Sequence, residues 1–129
     1  MKLCLPIPKT HPLVIWANSI RAYYGHPVYL VGSQLTDKEN PRDVDVVCAI
    51  PDDEFTLRFG DVNEWMTEGI TGQYTEIRWG WANECIKRWK EACIETNLNI
   101  DFKIQPMCAF KGYEHIHKLF PPYKLDTKE

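Results

Sequence analysis

Asp43 and Asp45, in the run Asp43-Val44-Asp45-Val46-Val47, are by type and spacing the residues of this chain best suited to chemistry. On an extended strand, residues two apart share a face, so both carboxylates project together. Like charges held that close repel unless a cation joins them. Hard oxygen donors of this kind suit Mg²⁺ or Mn²⁺ rather than zinc. A third carboxylate, Asp101, lies in Ile100-Asp101-Phe102-Lys103-Ile104-Gln105. Its alternation puts Asp101 and Lys103 on one face and Phe102 and Ile104 on the other. Divalent ions held by such groups serve phosphoryl chemistry by bridging phosphate oxygens. Gly32-Ser33, directly after the apolar run Val28-Tyr29-Leu30-Val31, adds a phosphate cradle. There, backbone N–H groups and a hydroxyl can approach a phosphate with no side chain in the way.

The elements that must position these groups follow from periodicity and punctuation. Apolar residues of 13–20 recur at helical spacing behind Pro12, which is tolerated in a first turn, and Gly25 and Pro27 end that helix. Residues 28–31 read as a short buried strand, 34–42 as a polar turn-rich connection, and 43–50 as a second strand. Beyond Pro51 the chain is acidic, helical or looped. Asp61-x-x-Glu64 is a capping-box pattern opening a short helix through Trp65, with Gly69 near its end. Residues 70–80 are ambiguous, with a β-like stretch at 73–79 between Gly72 and Gly80. A helix spans about 82–97, where Cys85, Ile86, Trp89, Cys93 and Ile94 repeat at steps of three and four. Strand 100–105 closes at Pro106, and the last twenty residues read as irregular. The order of helix, strand, strand, helices, strand predicts an α/β (α+β) domain: a small mixed β-sheet flanked by helices.

Length and charge set the bounds. The chain has 129 residues, 44% hydrophobic and 26% charged, enough for one domain with one core. We therefore expect a single domain over 1–129, with its motif core at about 12–105 and an irregular C-terminal segment at 106–129. The net charge is −3, and it is uneven: residues 37–68 carry ten Asp/Glu against three Lys/Arg. That disfavours a large nucleic-acid footprint, which needs clustered Lys and Arg. No apolar stretch is long enough to span a bilayer, and Pro6, Pro8, Lys9 and His11 interrupt the signal-peptide-like start. Five cysteines without a CxxC pair imply reduced thiols and a cytoplasmic location.

Taken jointly, Val28-Tyr29-Leu30-Val31-Gly32-Ser33, nine intervening residues, then Asp43-Val44-Asp45-Val46-Val47 resembles the signature of the DNA polymerase β-like nucleotidyltransferases. That signature is an apolar strand, Gly-Ser or Gly-Gly, a spacer near ten residues, and Asp-x-Asp followed by apolar residues. Ile100-Asp101-Phe102 is similar to the later strand on which the family carries a third carboxylate. The resemblance covers about 30–105. It implies Asp43 and Asp45 as catalytic metal ligands, Asp101 as the third catalytic carboxylate and ligand, and Gly32 and Ser33 as nucleotide-phosphate contacts. The implied activity is transfer of an NMP from an Mg²⁺–NTP, ATP being the first candidate, to an acceptor hydroxyl with release of pyrophosphate. Small stand-alone members modify proteins, small molecules or RNA ends. The lack of a basic cluster favours a protein or small-molecule acceptor here.

Other readings of the same residues stand beside this one. Gly-Ser alone is commonly a turn, and Asp-x-Asp alone commonly a solvated sheet face. A non-catalytic nucleotide- or partner-binding module could keep the fold and the acids, and a purely structural domain could use them only to solvate a sheet edge. Lys103 could neutralise Asp101 or meet substrate. His115-Ile116-His117 near Cys108 lacks zinc spacing and reads as surface histidines. Trp79 and Trp81 read as an exposed pair able to stack a base, whereas helical spacing assigns Trp89 to the core.

Overall fold

In the computed structural model, residues 12–31, 44–113 and 116–119 are described. Helix α1 (Pro12–Tyr24) buries Leu13, Val14, Trp16, Ala17, Ile20 and Tyr24, the stripe expected of a helix with one apolar side. Gly25 stops it at φ 80°, donating its N–H to Arg21 O at 2.7 Å. Strand β1 (Val28–Val31) then pairs antiparallel with β2 (Val44–Ile50), with Val28 opposite Cys48 and Val31 opposite Asp45.

A parallel neighbour requires a crossover. The chain makes one through α2 (Asp52–Phe59), α3 (Val62–Thr71) and α4 (Glu76–Thr96) before β3 (Ile100–Pro106) pairs parallel with β2. The acidic run Asp52-Asp53-Glu54 forms the first turn of α2, where the helix dipole favours negative charge. The N-cap half of the expected box forms at α3: Asp61 Oδ2 accepts from Glu64 N at 3.0 Å. The helix runs on to Thr71, past Gly69, and Gly72 ends it at φ 77°.

The β-like reading of 73–79 is overturned. Thr75 is the N-cap of α4, and Gly80 lies inside that helix. The turn is set by a contact that sequence spacing does not reveal. The Glu68 carboxylate accepts both the backbone N–H of Thr75 (3.0 Å) and its hydroxyl (2.5 Å), clasping the end of α3 to the start of α4.

After β3, a short helix α5 (Met107–Phe110) leads to β4 (Ile116–Lys118), which pairs antiparallel with β1. The sheet order is β3-β2-β1-β4. Residues 116–118 are thus not irregular as expected. Three residues are too few to show alternation, and they are ordered by the free edge of β1, with Leu119 N donating to Val28 O at 2.7 Å.

Alternation divides the sheet into two faces. Val28, Leu30, Val44, Val46, Cys48, Ile50, Ile100, Phe102 and Ile104 join the main core with α1–α4. Val31, Val47 and Ala49 face the other way and are covered by Phe110, with Tyr29, Met107 and Tyr113 packed around them. Among the described residues this second cover is small, and Asp45 and Lys103 stay half-buried and Asp101 exposed.

Candidate functional site

Asp45 and Asp101 are register partners on the parallel strands β2 and β3. Neighbouring strands lie about 4.8 Å apart, and side chains at paired positions leave the same face. Two carboxylates 56 positions apart in sequence are thereby brought side by side. Asp45 is the one residue of β2 that is not fully buried, and Asp101 is exposed. The expectation that two strands deliver these acids to one face holds for this pair.

Lys103 shares that face. Its Nζ contacts both oxygens of Asp101, at 3.0 and 3.1 Å. The ion pair is solvent-facing, with roughly half of the Asp101 side chain exposed, so its contribution to folding is about 0–1 kcal/mol. Its importance is local, because it sets a cation against a carboxylate the site would use.

These three residues, with Val46, Val47 and Tyr113, line a cleft of about 230 Å³. Tyr113 was not foreseen in the sequence. It is brought there by the turn after α5, in which Gly112 N bonds Ala109 O and Tyr113 N bonds Phe110 O, both at 3.1 Å. Gln105, next along the polar face of β3, donates from Nε2 to the Tyr113 hydroxyl oxygen at 3.1 Å. The phenol is oriented by that bond and retains its own O–H as a donor. The buried Oε1 of Gln105 has no hydrogen-bond partner. The alternation of β3 already put Gln105 on the face of Asp101 and Lys103. Nothing in the sequence pattern placed Tyr113.

Gly32, Ser33 and Asp43 lie outside the described residues, as does His115. In sequence Gly32-Ser33 follow Val31, the strand residue opposite Asp45, and Asp43 precedes Val44. Among the described residues no group of three His, Cys, Asp or Glu side chains is arranged to hold a metal ion. Cys108 stands away from the acidic cleft: its N–H bonds Asp52 Oδ1 at 3.1 Å and its Sγ lies 3.8 Å from Met66 Sδ.

The tryptophan assignments change. Trp79 is exposed, but Trp81 is buried and donates its indole N–H to Ile104 O at 2.6 Å. Trp81 also meets Trp65 edge-on at 5.2 Å, with the Arg78 guanidinium over both rings. Trp89, expected in the core, is 39% exposed. The phase of α4 explains both shifts. Trp81, Cys85 and Ala92 turn toward the sheet, and Trp89 falls at the margin of that stripe.

The sulfur chemistry is subdued. Cys48, Cys85, Cys93 and Cys108 are free thiols, and burial pushes Cys48 and Cys85 up to about 12. Thiols held so far from ionisation are poor nucleophiles. Among the described residues no helix is long and apolar enough to cross a membrane. No family model, curated protein or solved structure matches the chain.

Proposed function

We propose that this protein is a nucleotidyltransferase that moves an NMP from an NTP, with ATP the first candidate, onto an acceptor hydroxyl. The observation that carries the reading is the pairing of Asp45 with Asp101 on adjacent strands, beside Lys103 and Tyr113 in an open cleft. The donor chemistry fits a hard divalent cation, because both described acids present carboxylate oxygens from one rigid face. Asp45 and Asp101, together with Asp43, would hold Mg²⁺ or Mn²⁺, which when bound neutralises triphosphate charge. Gly32 and Ser33 would contact the phosphates.

The remaining work falls to side chains of the chain itself. Asp101 takes the proton of the acceptor hydroxyl as its oxygen attacks the α-phosphorus. The bond from that phosphorus to the bridging oxygen breaks, and pyrophosphate leaves with the electron pair. Lys103 can shift from Asp101 to a phosphate oxygen, and the Tyr113 hydroxyl can donate to another. Rate in such a site comes mainly from positioning and charge stabilisation. The four described thiols are all free, which suits a reducing compartment, and we place the protein in the cytoplasm.

The test is Asp45→Asn in purified protein, incubated with α-labelled NTPs, Mg²⁺ and mixed protein and small-molecule acceptors. The expected result is transfer by the parent chain and a loss of at least about 100-fold in the variant, with an unchanged circular dichroism spectrum. Near-normal transfer by Asp45→Asn removes the mechanism. A second reading is favoured by the Lys103–Asp101 ion pair, which neutralises the third carboxylate: a module that binds nucleotide without transferring it. Retention of labelled NTP by the parent chain with no labelled product selects that reading.

A further inference from the structure

Met66 on α3 and Cys108 on α5 are 42 positions apart in sequence, yet Cys108 Sγ lies 3.8 Å from Met66 Sδ. Three elements build the contact. Asp52, at the start of α2, accepts the backbone N–H of Cys108 on Oδ1 at 3.1 Å and so fixes the position of α5. The Cys108 S–H then donates toward the Met66 thioether. Neither sulfur serves a core. Met66 is 37% exposed, Cys108 is exposed, and neither residue belongs to either hydrophobic cluster. The other described thiols are placed differently. Cys48 and Cys85 are buried, and Cys93, half-buried, turns its Sγ to Ile100 O at 3.7 Å. Among the described thiols, Cys108 therefore combines an open surface with a second sulfur in contact.

We propose that Cys108 and Met66 form a binding site for a soft monovalent cation, univalent copper, separate from the acidic cleft. Thiolate and thioether together are the ligand types that select Cu(I). Mg²⁺ and Ca²⁺ take oxygen donors and Zn²⁺ takes thiolate, imidazole or carboxylate, so a thioether serves none of them. Asp52 brings one carboxylate, too little for a hard ion. The spacing fits the proposed ion. With metal–sulfur bonds of about 2.3 Å, sulfurs 3.8 Å apart enclose an angle of about 110° at the metal. Both bonds can form without the sulfurs moving apart, and the bend leaves a position open for an external ligand. On binding, the Cys108 thiol gives its proton to solvent. Each sulfur then donates an electron pair, and the copper stays univalent. The Asp52 carboxylate beside the thiol adds negative charge that favours a cation there.

The test uses full-length protein carrying ¹³C at its three methionine methyl groups. NMR spectra are recorded under nitrogen during titration with Cu(I), supplied as its acetonitrile complex, and Met66→Leu assigns the Met66 signal. That signal should move and saturate before five equivalents, one per cysteine, have been added. Cys108→Ser should abolish the movement, and so should alkylation of Cys108 in the folded parent chain, which needs no variant to fold. Competition against the chelator ferrozine should show Cu(I) bound at least about tenfold more weakly by Met66→Leu and by Cys108→Ser, since a lost ligand costs no less than a lost outer-shell partner. Zn²⁺ over the same range should leave the Met66 methyl in place. A Met66 signal unmoved through five equivalents of Cu(I) overturns the site. Copper affinity indifferent to Met66→Leu overturns it too, because Cys108 would then bind as a single thiol. An equal Met66 shift with Zn²⁺ overturns the assignment to univalent copper.

Discussion

Asp45 and Asp101 sit opposite one another on the parallel strands β2 and β3, and the ammonium of Lys103 closes on both oxygens of Asp101. Of the two acids, Asp101 thus meets a fixed charge within its own strand, two residues away. A lysine two residues along a strand is the cheapest way to place a cation on the same face, since no other element need move. Under the proposed function the pair would act as a gate on the acid: closed, it neutralises Asp101; open, it would free the carboxylate for a metal or a proton.

That gate makes a binding prediction. Lys103→Met should tighten Mn²⁺ binding several-fold, measured by electron paramagnetic resonance of the free ion. The midpoint of thermal unfolding should move by only a few degrees, because an exposed pair contributes about 0–1 kcal/mol. Equal or weaker Mn²⁺ binding by the variant would mean that Asp101 is not a ligand.

A second prediction concerns Gly69 and Arg78. A methyl group at Gly69 would lie 2.2 Å from a terminal nitrogen of Arg78. That guanidinium cannot simply swing away. It sits 4.2 Å over the Trp65 ring and 4.7 Å over Trp81, and Nε donates to Trp65 O at 3.1 Å. Gly→Ala inside a helix ordinarily stabilises by about 1 kcal/mol. Here Gly69→Ala should destabilise, and in an Arg78→Ala background the same change should recover the stabilisation. Urea unfolding of the four proteins of this cycle measures the coupling.

Acid should unfasten the turn between α3 and α4. Hydrogen bonds from Thr75, chiefly from its hydroxyl, hold the Glu68 carboxyl below the ordinary value of 4.5. The unfolded chain therefore binds more protons than the folded one between the two values, and stability rises with pH across that window. The contribution is complete above the unfolded value and is lost as pH falls through the lower folded value. Glu68→Gln should melt below the parent chain at pH 7, and the gap should narrow steadily as the pH falls below 4.5. A gap constant over that range would show that Glu68 acts only by packing.

Thiol reactivity should rank by exposure. Among the four described cysteines, Cys108 is exposed and Cys48 and Cys85 are buried. Alkylation followed by peptide mass mapping should mark Cys108 in the native protein and Cys48 and Cys85 only after unfolding. Burial and then the neighbouring Asp52 charge raise the Cys108 thiol above its usual value, so Asp52→Asn should speed its labelling. Native labelling of Cys48 would contradict the core described here.

Local pattern determined much of this protein. Pro12 and Gly25 bound α1, the apolar runs locate β1 and β2, Asp61 and Glu64 announce α3, and the alternation of 100–105 sets Asp101 and Lys103 on one face. Each rests on forces that act within a few residues. What local pattern could not decide was who meets whom. The parallel register that sets Asp45 beside Asp101 needs the whole crossover through α2, α3 and α4. The start of α4 depends on Glu68, seven residues before Thr75, and β4 on the vacant edge of β1. Tyr113 reaches the cleft through the turn after α5, and Trp81 is drawn inward by the edge carbonyl of Ile104. Propensity and periodicity specify the faces of separate elements, but burial and unsatisfied backbone groups choose their partners. A site shared between strands therefore exists only once those choices are made.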